Sequence, residues 1–165
     1  MKIKFIFVAL LFTIITFSQQ KRKPITLEIA ANETQQYKAE IPESPYFVKD
    51  KILQIYCGEK VYLECEIVGD TISEMKIVEK NVNSKRTIEI EFSQDSNDRK
   101  NINTMLQIKN PFEKDLVYEA IMLTPRSEEW RKTSTIPIRA NLLSFETWPH
   151  SIISLVLENW KFKNK

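Results

Sequence analysis

The chain has 165 residues, of which 42% are hydrophobic and 28% are charged. Lys2 and Lys4 lie in a distinct N-terminal stretch, and the remaining 22 basic residues balance the 22 acidic residues. This neutrality argues against nucleic acid as a partner, which needs a clustered positive field, and against electrostatic attachment to a membrane surface.

Residues 1–18 have the pattern of a secretory signal peptide. Lys2 and Lys4 form a positive start, the 13 residues from Phe5 to Phe17 form the apolar part, and the small residues Thr16 and Ser18 flank Phe17. The run is shorter than the roughly 20 apolar residues that span a bilayer. We therefore expect cleavage after Ser18, giving an exported periplasmic or extracellular chain of residues 19–165 without an integral membrane segment.

A basic cluster, Lys21 to Lys23, follows the expected cleavage site. Short charged segments at a chain terminus are usually solvated and poorly ordered. We expect this cluster to be a solvated tail.

Alternation of apolar and polar residues predicts short strands through most of the remaining chain. It is clearest at Ile88 to Phe92, where Glu89 and Glu91 would face water. Similar runs occur at Ile25–Ile29, Val61–Ile67 and Ile102–Ile108. Both faces of Leu116–Leu123 are apolar, and the short run Ile136–Ile138 flanks Pro137, which marks an edge or irregular strand. The residues expected in the core are Ile88, Ile90, Phe92, Leu106, Ile108, Leu116, Tyr118 and Ala120.

The segment Ser151–Trp160 fits two structures. Ile152, Leu155, Val156 and Trp160 would form a helical stripe, whereas Ile153, Leu155 and Leu157 would form one face of a strand. We favour the strand, which needs a bulge near Glu158 to turn Trp160 inward.

About eight to ten strands without a helical period predict an all-β fold, a sandwich of two antiparallel sheets in one domain over residues 19–165. Within residues 102–123, Ile108–Phe112 followed by Leu116 and Tyr118 resembles the strand-turn-strand of immunoglobulin-like sandwich modules in exported bacterial proteins. The Cys…Trp…Cys spacing of antibody domains is missing. The resemblance implies architecture and not activity.

Cys57 and Cys65 raise the question of a disulfide, which export would permit. A two-residue hairpin through Gly58 and Glu59 would place Cys65 about five residues, ~17 Å, beyond Lys60, the residue opposite Cys57. A disulfide needs Cα atoms within about 7 Å. Pairing would require a wider turn or strands in different sheets, and two buried thiols are the favoured alternative.

The sequence contains no recognisable catalytic or cofactor motif. His150 is the only histidine, which excludes a zinc site built of imidazoles, and no Cys-x-x-Cys spacing occurs. The two glycines, Gly58 and Gly69, cannot form a glycine-rich phosphate loop. We therefore expect neither a metal nor a cofactor.

Trp130 is the candidate binding residue, because it lies in a polar segment that Pro125 opens. It can pack over the sheet as a staple, which the pattern favours, or stand in solvent as an interface anchor.

Three functional hypotheses follow, with the oligomeric state left open. The first is an exported non-catalytic protein that binds a protein, glycan or envelope component. The second is a small exported enzyme that uses carboxylates near Glu146 and His150. The third is a structural accessory of an envelope assembly, whose edge strands pair with a partner.

Overall fold

The structure, a computed structural model, describes residues 20–127 and 129–163. The described residues are all-β: they form fourteen strands and one short 3-10 helix, Arg99–Asn101. Within these ranges no helix is long and apolar enough to cross a membrane. The expected cleavage site after Ser18 lies outside the described residues.

Ten of the strands form two five-stranded antiparallel sheets. Sheet I contains, in spatial order, β13 (Leu143–Trp148), β10 (Asn103–Lys109), β9 (Thr87–Asp95), β7 (Lys60–Val68) and β8 (Thr71–Val78). Sheet II contains β12 (Arg131–Thr133), β11 (Leu116–Leu123), β14 (Ser154–Phe162), β6 (Ile52–Tyr56) and β5 (Phe47–Lys49). The predicted sandwich of two antiparallel sheets is confirmed.

Four short strands form two separate ribbons. In the first ribbon β1 (Lys21–Arg22) pairs with β4 (Ser44–Pro45), and in the second β2 (Ile25–Ala30) pairs with β3 (Gln36–Ile41). The predicted strand around Pro137 is reduced to a single bridge between Ile138 and Leu116. Proline has no N–H to donate to a ladder, which accounts for the interruption.

The inner faces of both sheets form one hydrophobic core. All eight predicted core residues, from Ile88 to Ala120, are at most 2% exposed. Glu89 and Glu91 lie on the opposite face of β9 and are partly exposed, with ion pairs to Lys109 and Lys60 at 3.3 and 3.1 Å. The predicted register of β9 is therefore confirmed.

The ambiguous segment Ser151–Trp160 is a strand, as favoured. Its register against β11 shifts between Glu158 and Lys161, and Asn159 there has a φ of 56°. This irregularity is the predicted bulge. It brings Trp160 into the core, where its ring stacks on Tyr118 at a centroid distance of 5.2 Å.

The chain passes from sheet II to sheet I at Cys57–Glu59, so these residues do not form the two-residue hairpin considered from the sequence. The Cys57 amide donates to the Ile153 carbonyl just before β14, at 3.0 Å. One residue later, the Gly58 amide donates to the Phe92 carbonyl of β9, at 2.7 Å. Gly58 has a φ of 95°, which a residue with a Cβ rarely adopts, so glycine permits this abrupt crossing.

The expectation of a solvated tail at Lys21–Lys23 is also wrong, because Arg22 is only 1% exposed. Its Nε and Nη2 donate to the two oxygens of Glu59 at 2.6 and 3.0 Å. Nη2 also donates to the Gln54 carbonyl at 2.7 Å. The guanidinium lies between the rings of Tyr46 and Tyr56, 4.5 and 4.7 Å from their centroids. Charge pairing and stacking together make burial of this arginine favourable.

We predict that Arg22→Met lowers the free energy of unfolding by about 3–5 kcal/mol, because it leaves the Glu59 carboxylate buried without its partner. Adding Glu59→Gln to Arg22→Met should recover part of the loss, because glutamine is neutral. Its side-chain oxygen can still accept the hydrogen bond that the Tyr56 amide donates to Glu59 at 2.7 Å. Urea unfolding of both variants measures these changes.

The neighbouring residue supplies a matched control. Lys21 pairs with Glu43 in solvent at 2.8 Å, so Lys21→Met should lower the free energy of unfolding far less than Arg22→Met does. Equal losses in Lys21→Met and Arg22→Met would contradict the assignment of Arg22 as a structural anchor.

Candidate functional site

Two surface features stand out, and the first is a pocket at one end of the sandwich. Four connections line it, together with Arg131 of β12: residues 31–33 of the β2–β3 turn, residues 99–102 around the 3-10 helix, residues 122–127 at the end of β11, and residues 149–151 after β13. The cavity volume is about 420 Å³. We call it the end pocket.

Hydrogen bonds between these connections hold the end pocket in shape. The Gln94 side chain accepts from the Ala30 amide at 2.9 Å and donates to the Ala30 carbonyl at 3.0 Å. The Ser151 hydroxyl donates to the same carbonyl. The Thr104 hydroxyl donates to the carbonyl of His150 at 2.7 Å. Side chains of β9 and β10 thus fasten the connections that line the pocket to sheet I.

The charged side chains of the end pocket are mostly cationic. Of the described residues, one carboxylate, Glu33, lines it, whereas four cations do: Arg99, Lys100, Arg126 and Arg131. Nine ion pairs occur among the described residues, and none of them uses these arginines or this lysine. The end pocket is therefore a local concentration of positive charge.

The second feature is an apolar surface beside β12 and β13. Eight large apolar side chains of the described residues are exposed, and five of them belong to residues 130–145: Trp130, Ile136, Leu142, Leu143 and Phe145. Leu143 and Phe145 stand on β13, which is an edge strand of sheet I. We call these five residues and β13 the apolar flank.

Two side-chain hydrogen bonds hold the chain after Trp130 against β13. Glu146 of β13 accepts from the Ile136 amide at 2.8 Å. Trp148 donates from its indole nitrogen to the Thr133 hydroxyl at 3.0 Å. These two bonds join the edges of the two sheets on this side of the sandwich.

Trp130 lies immediately before β12 and is 42% exposed. More than half of its surface is therefore covered, while the rest is open to solvent. Both roles considered for it, staple and anchor, remain predictions.

The structure does not bring Glu146 and His150 into one site. The Glu146 carboxylate binds the Ile136 amide in the apolar flank, whereas His150 lines the end pocket, where its Nδ1 lies 3.3 Å from the Ser151 carbonyl. Among the described residues there is also no group of three or more His, Cys, Asp or Glu side chains placed to hold a metal.

In this structure Cys57 and Cys65 are free, buried thiols. Cys57 lies at the crossing between the sheets, whereas Cys65 lies inside β7 opposite Met75. Burial raises the pKa of both thiols to about 12. They are small core residues and are not placed to act as nucleophiles.

Neither a protein-family model, nor a curated protein, nor a solved structure matches this chain. Function must therefore be argued from the geometry of the end pocket and the apolar flank.

We predict that both cysteines of the native protein resist a thiol reagent at pH 8, because their raised pKa keeps them protonated and the core covers them. In urea without reductant, two thiols per chain should react. A Val82→Cys variant, whose added thiol would occupy an 87% exposed position, should gain one fast-reacting group in the native state. Rapid native labelling, or fewer than two thiols in urea, would contradict this placement.

Proposed function

We propose that this protein is an exported, non-catalytic β-sandwich protein that binds a partner protein of the cell envelope through the apolar flank. The observation that carries the proposal is that five of the eight exposed large apolar side chains of the described residues belong to residues 130–145, around the edge strands β12 and β13. Scattered exposed apolar residues are common on monomers, but clustered ones are typical of interaction sites. Trp and Phe are also among the residues enriched at protein interfaces.

The backbone of β13 adds to the binding capacity of the flank. Among the described residues, no hydrogen bond reaches the outer edge of Leu143–Thr147. The opposite edge of sheet I, β8, carries the exposed charges of Glu74 and Lys76, which discourage pairing with another chain. This contrast favours β13 as a docking edge. It supports the third of the functional hypotheses, a structural accessory whose edge strand pairs with a partner.

Export is part of the proposal and fits the position of Arg22. Cleavage after Ser18 would leave Gln19 as the first residue, so β1 and its buried arginine would stay in the mature chain. The signal peptide would therefore be removed without loss of the Arg22–Glu59 pair.

We also infer that the sandwich is of the immunoglobulin-like kind. In support, Asn110 lies at the turn that resembles this family and is completely buried. Its side-chain amide donates to the Lys114 carbonyl at 2.8 Å, and its side-chain oxygen accepts from the Phe112 amide at 3.0 Å. Tyr118 then points inward from β11.

Site-specific photo-crosslinking in the organism that encodes the protein tests the proposed function. A photoreactive amino acid at Phe145, which is 51% exposed, should give one discrete protein adduct. The same amino acid at Val82, which is 87% exposed but distant from the flank in sequence, should give none. Mass spectrometry of the adduct should show a chain that begins at Gln19.

A variant that introduces a charge into the apolar flank tests whether the flank itself forms the contact. Leu143→Lys alters an exposed side chain, so it should fold normally and reduce the adduct at Phe145 at least fivefold. Equal adducts at Phe145 and Val82 would contradict docking through the flank, and an adduct that retains residues 1–18 would contradict export by cleavage.

A further inference from the structure

The end pocket has a ligand preference that the apolar flank does not explain. Residues 19–165 are formally neutral, so four arginine and lysine residues around one cavity, against one carboxylate, Glu33, among the described lining residues, depart from the background charge of the chain. Four separate connections contribute to the lining of this cavity. Converging cations that form no ion pair within residues 20–127 and 129–163 favour the binding of an anion.

Arg99 is held in place before any ligand arrives. Its Nη1 donates to the carbonyls of Gln35 and Asn32 at 3.1 and 3.3 Å, across the mouth of the β2–β3 turn. Its Nε and Nη2 make no hydrogen bond to other described residues, so they remain available as donors. A guanidinium fixed in this way loses little conformational entropy when it binds an oxyanion.

The lining also has an apolar part. Ile102, Met122, Pro125 and Pro149 line the same cavity as the cations. The volume of about 420 Å³ lies within the range of ligand pockets, roughly 300–1,000 Å³, and exceeds what one inorganic anion fills. The ligand is thus expected to combine a compact body with more than one negative group.

From these observations we propose that the end pocket binds an acidic sugar that carries several sulfate or phosphate groups. The C–H faces of the sugar ring pack against the proline and methionine side chains, while Arg99, Arg126 and Arg131 bind the oxyanions. Arginine suits this role because its planar fork binds two oxygens of one oxyanion. A long polyanion such as nucleic acid would instead need a continuous basic track along the surface.

Isothermal titration with sucrose octasulfate tests the proposal, with unmodified sucrose as the control ligand. The folded protein should bind the sulfated sugar with a micromolar Kd that weakens as sodium chloride is raised, and it should not bind sucrose. Sodium sulfate at the same total sulfate concentration should displace the sugar by less than a tenth. Absence of binding at millimolar sugar, or full displacement by sodium sulfate, would overturn the proposal.

Two charge-matched double variants locate the site. Arg126→Gln with Arg131→Gln should weaken binding at least tenfold, whereas Lys80→Gln with Arg86→Gln, at exposed positions outside the end pocket, should change the Kd less than twofold. Thermal unfolding should show that both double variants remain folded. If the Arg126→Gln, Arg131→Gln variant does not fold, Lys100→Gln takes its place in the titration. Equal weakening in the two double variants would show attraction to the whole surface and would overturn the site.

Discussion

The fold depends on the buried pair of Arg22 and Glu59. Glu59 belongs to the three residues that carry the chain from sheet II to sheet I, and the arginine binds it while also binding the Gln54 carbonyl of β6. One guanidinium therefore joins the first strand, the end of β6 and the crossing between the sheets. Because the charges are buried and stacked between two tyrosines, the pair is costly to break from either side.

The Arg22–Glu59 pair lies outside both the apolar flank and the end pocket. The apolar flank arises where the short β12 and the six-residue β13 end their respective sheets, and the end pocket arises where four connections meet at one end of the sandwich. The flank is suited to a protein surface or strand, whereas the pocket is suited to a compact anion. Both are consistent with the proposed binding protein, whose core positions the two surfaces.

Sequence periodicity was sufficient to predict strands with one buried face and one face exposed to solvent. Alternation in Ile88–Phe92 and Leu116–Tyr118 correctly predicted the core, because burial of one face leaves a period of two in the sequence. Periodicity could not show that the chain passes from one sheet to the other at Cys57–Glu59. The alternation of the flanking strands is the same whether the connection between them is a hairpin or a crossing between sheets. Periodicity also could not reveal the burial of Arg22, whose partners are up to 37 residues away, or the end pocket, whose cations are spread over residues 99–131.

The most direct test of the central claim is native-state hydrogen exchange at the crossing. The amides of Cys57, Gly58 and Phe92 donate across the junction, to carbonyls of Ile153, Phe92 and Glu59. If the Arg22–Glu59 pair holds this junction, all three should exchange only through global unfolding, with the same free energy as amides in the centre of β14. A lower opening free energy at the crossing than in β14 would show that the junction opens locally and would contradict the account.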